Sequence, residues 1–433
     1  MHTVERIEIE GFRETHSNIT LHFDDEVNFI IGRNGTGKTS LINLINAALC
    51  GDVQRLNRAP FEEITVRLKP RGSSRRPQIK YLKAPDVDGD EGLYFSVQAK
   101  SSDPVEFEEV EVDDLNWRLR YYERAASIAK RTWSEPTPIP HSNLREKIRK
   151  LVSTTWLSVH RSAELSEADH GREFESPVDQ RLHHVFRKFG TYFSTLDKES
   201  AQITDKFQTN YFLSLISPPK VNVFAGGAQG ISPQKERQAL QEMFSEFGLT
   251  KSAYSSKLNA FIKQVEKAVK FQEDHENPAY PADVFLTLTD ALRIDALVSE
   301  WAELLEGRAE IYSPKTDFLN IVNGLLYRKE LKISAGNQPE FFNELGEVVS
   351  PDHLSSGEKQ LLIILGEALI QKGQSYIFMA DEPELSLHID WQERLVPSLR
   401  QINPSSQIIF ATHSPDIVGA YSEYTIDLEK VLG

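Results

Sequence analysis

Eight consecutive residues, Gly32 to Thr39, read GRNGTGKT and fit the pattern G-x-x-x-x-G-K-[ST]. Gly35 and Gly37 allow the backbone to curl so that successive N–H groups point inward, which suits phosphate oxygens, and a helix beginning near Gly37 adds its positive dipole end. Lys38 can reach the β- and γ-phosphates of a nucleotide as a point charge, and the Thr39 hydroxyl can ligate Mg²⁺. Arg33, Asn34, Thr36 and Ser40 make up the rest of this candidate phosphate loop. The bland alternative is an accidental Gly-rich turn, which average residue usage would produce in roughly one chain of this size in a hundred. The strand-like VNFII before the loop and the amphipathic TSLINLINAAL after it argue against that alternative.

Three further clusters bear on the same chemistry. SYIFMADEPE, 375–384, is an apolar strand ending in Asp381-Glu382. Alone, that acidic pair reads equally as a solvated turn or a helix cap. Beside a phosphate loop, one strand-end carboxylate can hold Mg²⁺ through water and its neighbour can activate an attacking water. LSSGEKQ, 354–360, opens a long helix, and Ser-Ser-Gly there is a good capping sequence. The N–H groups and hydroxyls of Ser355, Ser356, Gly357 and Glu358 would equally suit an anion. ATHSP, 411–415, places His413 at the end of the strand SQIIFAT, either as a structural histidine or, in a parallel sheet, at the same edge as Asp381.

The elements that must position these groups follow from periodicity. Residues 4–12, 18–23 and 27–31 read as strands, followed by the helix from Gly37. From Phe61 to Glu111 short strands return, broken by PRGSSRRP and PDVDGDEG, as an antiparallel β-layer. TTWLSV, 154–159, is the next strand. Residues 166–330 are mostly helical, with helix candidates such as ERQALQEMFSEF and KLNAFIKQVEKAVKF that fall far short of sustained heptads. The last ninety residues alternate helix and strand, which predicts a mainly parallel, covered sheet. The expected class is therefore α/β, with a mixed, mainly parallel sheet, an antiparallel β-layer and a large helical insertion. The expected parts are 1–165, 166–330 and 331–433.

GRNGTGKT, LSSGEKQ, DEPELSLH and ATHSP, in this order, resemble the ATP-binding-cassette type of ATPase. Within it they are similar to the RecF, SMC and OLD branch rather than to transporters, because Asn34 precedes Gly35, the signature reads LSSGE and the histidine motif reads THSP. The resemblance covers about residues 1–50 and 320–433. It implies ATP and Mg²⁺ as cofactors, Asp381 as the metal carboxylate with Thr39, Glu382 as the general base, His413 as the switch histidine, and Ser386 and His388 in the D-loop. It further implies that Ser355, Ser356 and Gly357 close on the γ-phosphate of ATP bound to a second subunit, so that composite sites form only in a head-to-tail homodimer. A glutamine sensing the γ-phosphate is not evident; Gln98 and the strand end at His160-Arg161 are the candidates.

The long arms of SMC proteins have no counterpart in 166–330, and the 20 residues after His413 leave no room for the Toprim domain of OLD nucleases. The pattern that remains resembles the ATPase subunits of bacterial anti-phage operons such as PARIS and Septu, where the nuclease is a separate polypeptide. The expectation is an ATP-hydrolysing switch that dimerises on ATP, assembles into a higher homo-oligomer, and controls an effector from the same operon in response to a phage-derived trigger. A RecF-like DNA-repair ATPase and a nucleotide-gated scaffold with dispensable hydrolysis are the rival readings. With Lys+Arg 49 against Asp+Glu 64 the net charge is −15, so any DNA contact needs a local basic patch, and Arg67 to Lys83 is the candidate, against a solvated loop face. DVDGDE, 86–91, lacks calcium-loop spacing, and His183-His184 reads as a solvent-facing helix pair. A single cysteine, Cys50, and the absence of any bilayer-length apolar run fit a cytoplasmic protein without membrane contact.

Overall fold

The runs VNFII, IFMAD and QIIFA are apolar at nearly every position, the pattern of strands covered on both faces. They form β3 (Val27–Ile31), β12 (Ile377–Asp381) and β13 (Gln407–Ala411) in a computed structural model that describes residues 2–13, 17–70, 76–85, 91–100, 103–109, 143–158, 176–216, 232–273, 281–371 and 373–432. With β8 (Thr154–Ser158) and β14 (Thr425–Asp427) they build a five-stranded sheet ordered β14-β3-β13-β12-β8. All four pairings in it are parallel. Ala411 pairs with both Asp381 and Ile30, so the C-terminal ends of three strands share one edge.

The expected antiparallel layer forms a second sheet, ordered β2-β1-β4-β5-β6-β7. Its strands are β1 (His2–Phe12), β2 (Ser17–His22), β4 (Glu63–Pro70), β5 (Gln78–Pro85), β6 (Glu91–Gln98) and β7 (Glu108–Glu109). The layer expected over 61–111 therefore begins at residue 2, because β1 pairs with both β2 and β4. Helix α1 (Lys38–Cys50) packs between the two sheets and is buried along most of its length, including Leu41, Ile42, Ile45 and Leu49, while Thr39 and Ser40 are exposed. Each large apolar side chain buried this way stabilises by about 1.5–3 kcal/mol. The Tyr81 hydroxyl of β5 donates to Ala48 O at 2.7 Å, and the buried Gln407 side chain bonds Val4 and Asp24, stitching β13 to β1.

Short helices α2 (Val53–Arg58) and α3 (Asn143–Leu151) follow α1 in the chain. Contacts divide the protein into Met1–Gly190 with Asp317–Gly433, and Thr191–Thr316. These limits fall inside two helices, α4 (Pro177–Ile216, 40 residues) and α7 (Ala282–Asn323, 42 residues). Their length is not visible as periodicity because the buried face of α7 changes partners along its course. Leu288 and Leu292 pack on Val265, and Trp301 and Leu304 on Phe207 and Met243. Between them lie α5 (Pro233–Glu246) and α6 (Lys251–Glu273). None of the described helices is long and apolar enough to cross a membrane.

A buried acid marks the helical unit. Glu236 of α5 is 1% exposed, neither carboxylate oxygen has a hydrogen-bond partner, and burial, with Asp295 nearby, pushes its pKa up to about 7. Because the folded value lies above the unfolded one, stability falls as pH rises from about 4.5 through 7. Glu236→Met is expected to stabilise this unit by up to about 3 kcal/mol at pH 8 and by little below pH 4.5, a difference that urea melts at the two pH values will read.

The chain then forms a three-stranded antiparallel sheet not evident from pattern, β9 (Lys329–Ile333), β10 (Pro339–Asn343) and β11 (Val348–Val349). It leads into α8 (Ser356–Ile370), buried from Gly357 to Leu369. Three further helices, α9 (Ile389–Ile402), α10 (Pro415–Val418) and α11 (Leu428–Leu432), complete the described fold.

Candidate functional site

The loop leaving β3 turns into α1 through three positive-φ glycines, Gly32 at 153°, Gly35 at 87° and Gly37 at 102°. A side chain at Gly37 would be strained and would also collide, since its Cβ would sit 2.3 Å from Arg13 Cζ. Lys38, 5% exposed, donates to the carbonyls of Gly32 at 2.9 Å and Arg33 at 3.2 Å. Burial lowers its pKa, opposed by the carboxylates of Glu382, Asp381, Glu384 and Glu429, and a phosphate would further offset the loss of hydration. Thr36 folds its hydroxyl onto Arg33 O, Arg33 N–H donates to Glu429, and Asn34 and Gly35 are exposed.

Strand β12 brings Asp381 to this loop: Thr39 Oγ1 donates to Asp381 Oδ1 at 3.2 Å. A hydroxyl and a carboxylate form an oxygen-only pair, the ligand type that Mg²⁺ takes. Among the described residues no cluster of three His, Cys, Asp or Glu could hold an ion unaided, so a divalent ion here would take the rest of its shell from water and phosphate oxygens. The residues present fit a magnesium nucleotide in that sense. Glu382 follows at φ 49° with its carboxylate 3.7 Å from His413 Nε2, so the acidic pair and the histidine share the sheet edge.

Ser355 to Glu358 form a complete capping box: Ser355 Oγ accepts from Glu358 N–H, and the Glu358 carboxylate accepts from Ser355 N–H. Burial pushes the Glu358 pKa up, but Lys329, at 2.7 and 3.0 Å, and Ser355 hold it below the usual range. Glu358 is thus committed to the helix start, whereas Ser355 and Ser356 are exposed and Gly357 is packed so closely that a Cβ would meet Ser386 O at 2.4 Å. The bonds of this segment run within its own helix start and to Lys329, not to the phosphate loop. Ser386, at φ 70°, and His388, which caps α9, lie in the connection between β12 and α9.

Sequence reasoning misses Arg13. From the end of β1 it reaches the carbonyls of Thr36 at 3.1 Å and Gly35 at 3.5 Å and the Ser40 hydroxyl at 3.3 Å, placing a second cation over the loop. The 22 or more residues between them carry no local signal. Gln98 is buried in β6 and spends its amide on Asp103 O, and His160 and Arg161 lie outside the described residues. In the basic stretch, Arg67 pairs with Glu8, Lys69 with Asp25, Arg76 with Glu5 and Lys80 with Glu63, while Lys83 donates to two carbonyls. Arg71, Arg75 and residues 86–90 of DVDGDE lie outside the described residues. His183 contacts Asp352 and His184 contacts Arg187.

A phosphate loop, an acidic strand end and a histidine at one parallel-sheet edge, with the capped start of α8 bonded to itself and to Lys329, define an ATPase fold of the P-loop type. The chain belongs to the family described as an AAA domain, putative AbiEii toxin, type IV TA system, whose model matches residues 27–419. A retron Vc95 probable ATPase from Vibrio cholerae serotype O1 biovar El Tor is 37% identical over 81 residues, and that match spans 16% of this chain and 16% of the relative. Similar solved structures include the Smc head domain with an extended coiled coil bound to the C-terminal domain of ScpA from Pyrococcus furiosus. It shows 14% identity and a TM-score of 0.39 over 96% of this chain and 91% of that one. The SMC head domain from Thermotoga maritima shows 12% identity and a TM-score of 0.38 over 98% and 92%.

Proposed function

We propose that the chain is an ATP-hydrolysing switch that dimerises head to tail on ATP, assembles further, and controls a separate effector, a nuclease, in bacterial anti-phage defence. The observation that carries the catalytic part is the convergence of Lys38, Thr39, Asp381, Glu382 and His413 at one sheet edge. Bound Mg²⁺ would supply charge neutralisation at the phosphates. Lys38, the N–H groups of the loop and Arg13 would bind and orient the phosphates, Glu382 would accept a proton from the attacking water, and His413 would hold the γ-phosphate end. Ser355, Ser356 and Gly357, turned to their own helix start, would complete the site of a second copy.

The family description and the retron relative support the defence setting, and a partner-facing surface supports control of an effector. The helical unit carries an apolar cavity of about 990 Å³ lined by Phe207, Phe244, Tyr254 and Leu297, and the end of α4 exposes Phe212, Leu215 and Ile216. Exposed apolar surface of this kind marks interaction sites. The described cations of the basic stretch, each engaged by an acid or a carbonyl, favour this reading over direct DNA binding. The purified protein is expected to leave DNA and RNA intact with ATP and Mg²⁺ and to co-purify with the product of an adjacent gene, and Phe212→Asp with Leu215→Asp to reduce that co-purification at least about tenfold. Nucleic-acid cleavage by the isolated chain, dependent on a residue outside the ATPase motifs, would count against the proposal.

A further inference from the structure

The acidic loop after β12 contains a third carboxylate that neither metal holding nor base chemistry uses. Glu384 Oε1 accepts three hydrogen bonds: from the Thr412 hydroxyl at 2.7 Å, from His413 N–H at 2.8 Å and from Ser414 N–H at 3.2 Å. Its second oxygen, Oε2, is buried without a hydrogen-bond partner. Two consecutive N–H groups and a hydroxyl on one carboxylate oxygen make a charge-assisted grip, stronger than neutral bonds of the same length. The loop it grips from is itself strained, with Glu382 at φ 49° and Ser386 at φ 70°, both in the left-handed region. Such backbone persists only where its surroundings over-determine it. Here Glu382 N–H donates to Ala411 O at 2.8 Å and Leu387 N–H to Glu384 O at 2.9 Å, so the loop is tied at its start and its end while the Glu384 side chain ties its middle to the next strand.

Resting on the reading of Glu382 as the base, we propose that Glu384 is a positioning residue for hydrolysis. Its carboxylate clamps the strand end that bears His413 onto the loop that bears Glu382, and so sets the 3.7 Å separation between them. The clamp makes no hydrogen bond to the phosphate loop or to the Thr39–Asp381 pair and reaches Lys38 only through its charge, so it acts chiefly on turnover.

Steady-state ATP hydrolysis tests this in two stages. The native protein and Glu382→Gln come first: absence of turnover in the native protein removes the hydrolysis reading and the clamp with it, whereas native turnover lost in Glu382→Gln leaves the clamp to be judged alone. Glu384→Ala is then expected to lower kcat about 10- to 100-fold with KM for ATP within about threefold, the scale of a misplaced catalytic group. Adding His413→Ala to Glu384→Ala should cost less than about a further threefold, since both remove one device. Glu384→Gln, which keeps an acceptor oxygen, should recover most of the loss, and the isosteric Thr412→Val, which removes one of three donors, should lower kcat about threefold to tenfold. Native kcat in Glu384→Ala, a loss confined to KM, or losses that multiply with His413→Ala overturn the proposal. If Glu384→Ala does not fold, native kcat in Thr412→Val overturns it by itself.

Discussion

Glu382→Gln is expected to bind ATP as the native protein does and to hydrolyse it about 10²- to 10⁴-fold more slowly, the usual worth of a general base. Lys38→Ala is expected to fail earlier, at binding. Its ammonium is buried, held by two loop carbonyls, and placed where phosphate oxygens would replace those carbonyls as partners. Titration with a fluorescent ATP analogue and measurement of phosphate release separate the two defects. Equal, native hydrolysis by Glu382→Gln would show that the base is another residue, and full biological function in a variant that binds without hydrolysing would favour a scaffold gated by nucleotide binding alone.

The groups named in that prediction are readable from sequence because each sits in a short motif at the junction of a strand and a helix. The phosphate loop needs its glycines within a few residues of Lys38, and the acidic pair and His413 each end an uninterrupted apolar run. The parallel strands β12 and β13 are legible for the same reason, since burial on both faces leaves few polar positions to blur them. Arg13 and Glu384 are different. Arg13 meets the loop 22 residues on, and Glu384 meets His413 29 residues on, contacts that topology creates and no spacing announces. Strands β9 to β11 are short and half exposed, so their pattern is weak. The long helices hide their length by changing packing partners along one axis, and Pro314 inside α7 reads locally as a helix stop.

A mixture of Lys38→Ala and Ser356→Arg proteins, each inactive alone, is expected to regain about a quarter of native turnover once subunits exchange. Half the dimers formed at random are mixed, and each has one of two composite sites intact. The expectation rests on the direction in which the signature segment spends its bonds, toward its own capping box and Lys329. It also rests on the packing of Gly357 against Ser386, which makes the start of α8 and the β12–α9 connection of one chain a single body. Subunit exchange is first verified by pull-down between differently tagged copies. Hydrolysis by native protein that stays monomeric and does not depend on concentration would contradict composite sites.

The central strand β3 lies between β13 and β14, with Val27 paired to Ile408 and Phe29 to Thr425. Its neighbours are therefore synthesised long after it. At roughly 5–20 residues per second, about 20–80 s pass on the ribosome between the emergence of β3 and that of β14. Throughout that interval VNFII is an apolar strand with two open edges, the type of segment that pairs with the wrong chain when concentrated. Refolding from denaturant meets the same obstacle as an entropic one, because the pairings that shape the phosphate loop close almost the whole length of the chain. Recovery of nucleotide binding is thus expected to lag behind recovery of helical signal, and yield to fall as protein concentration rises.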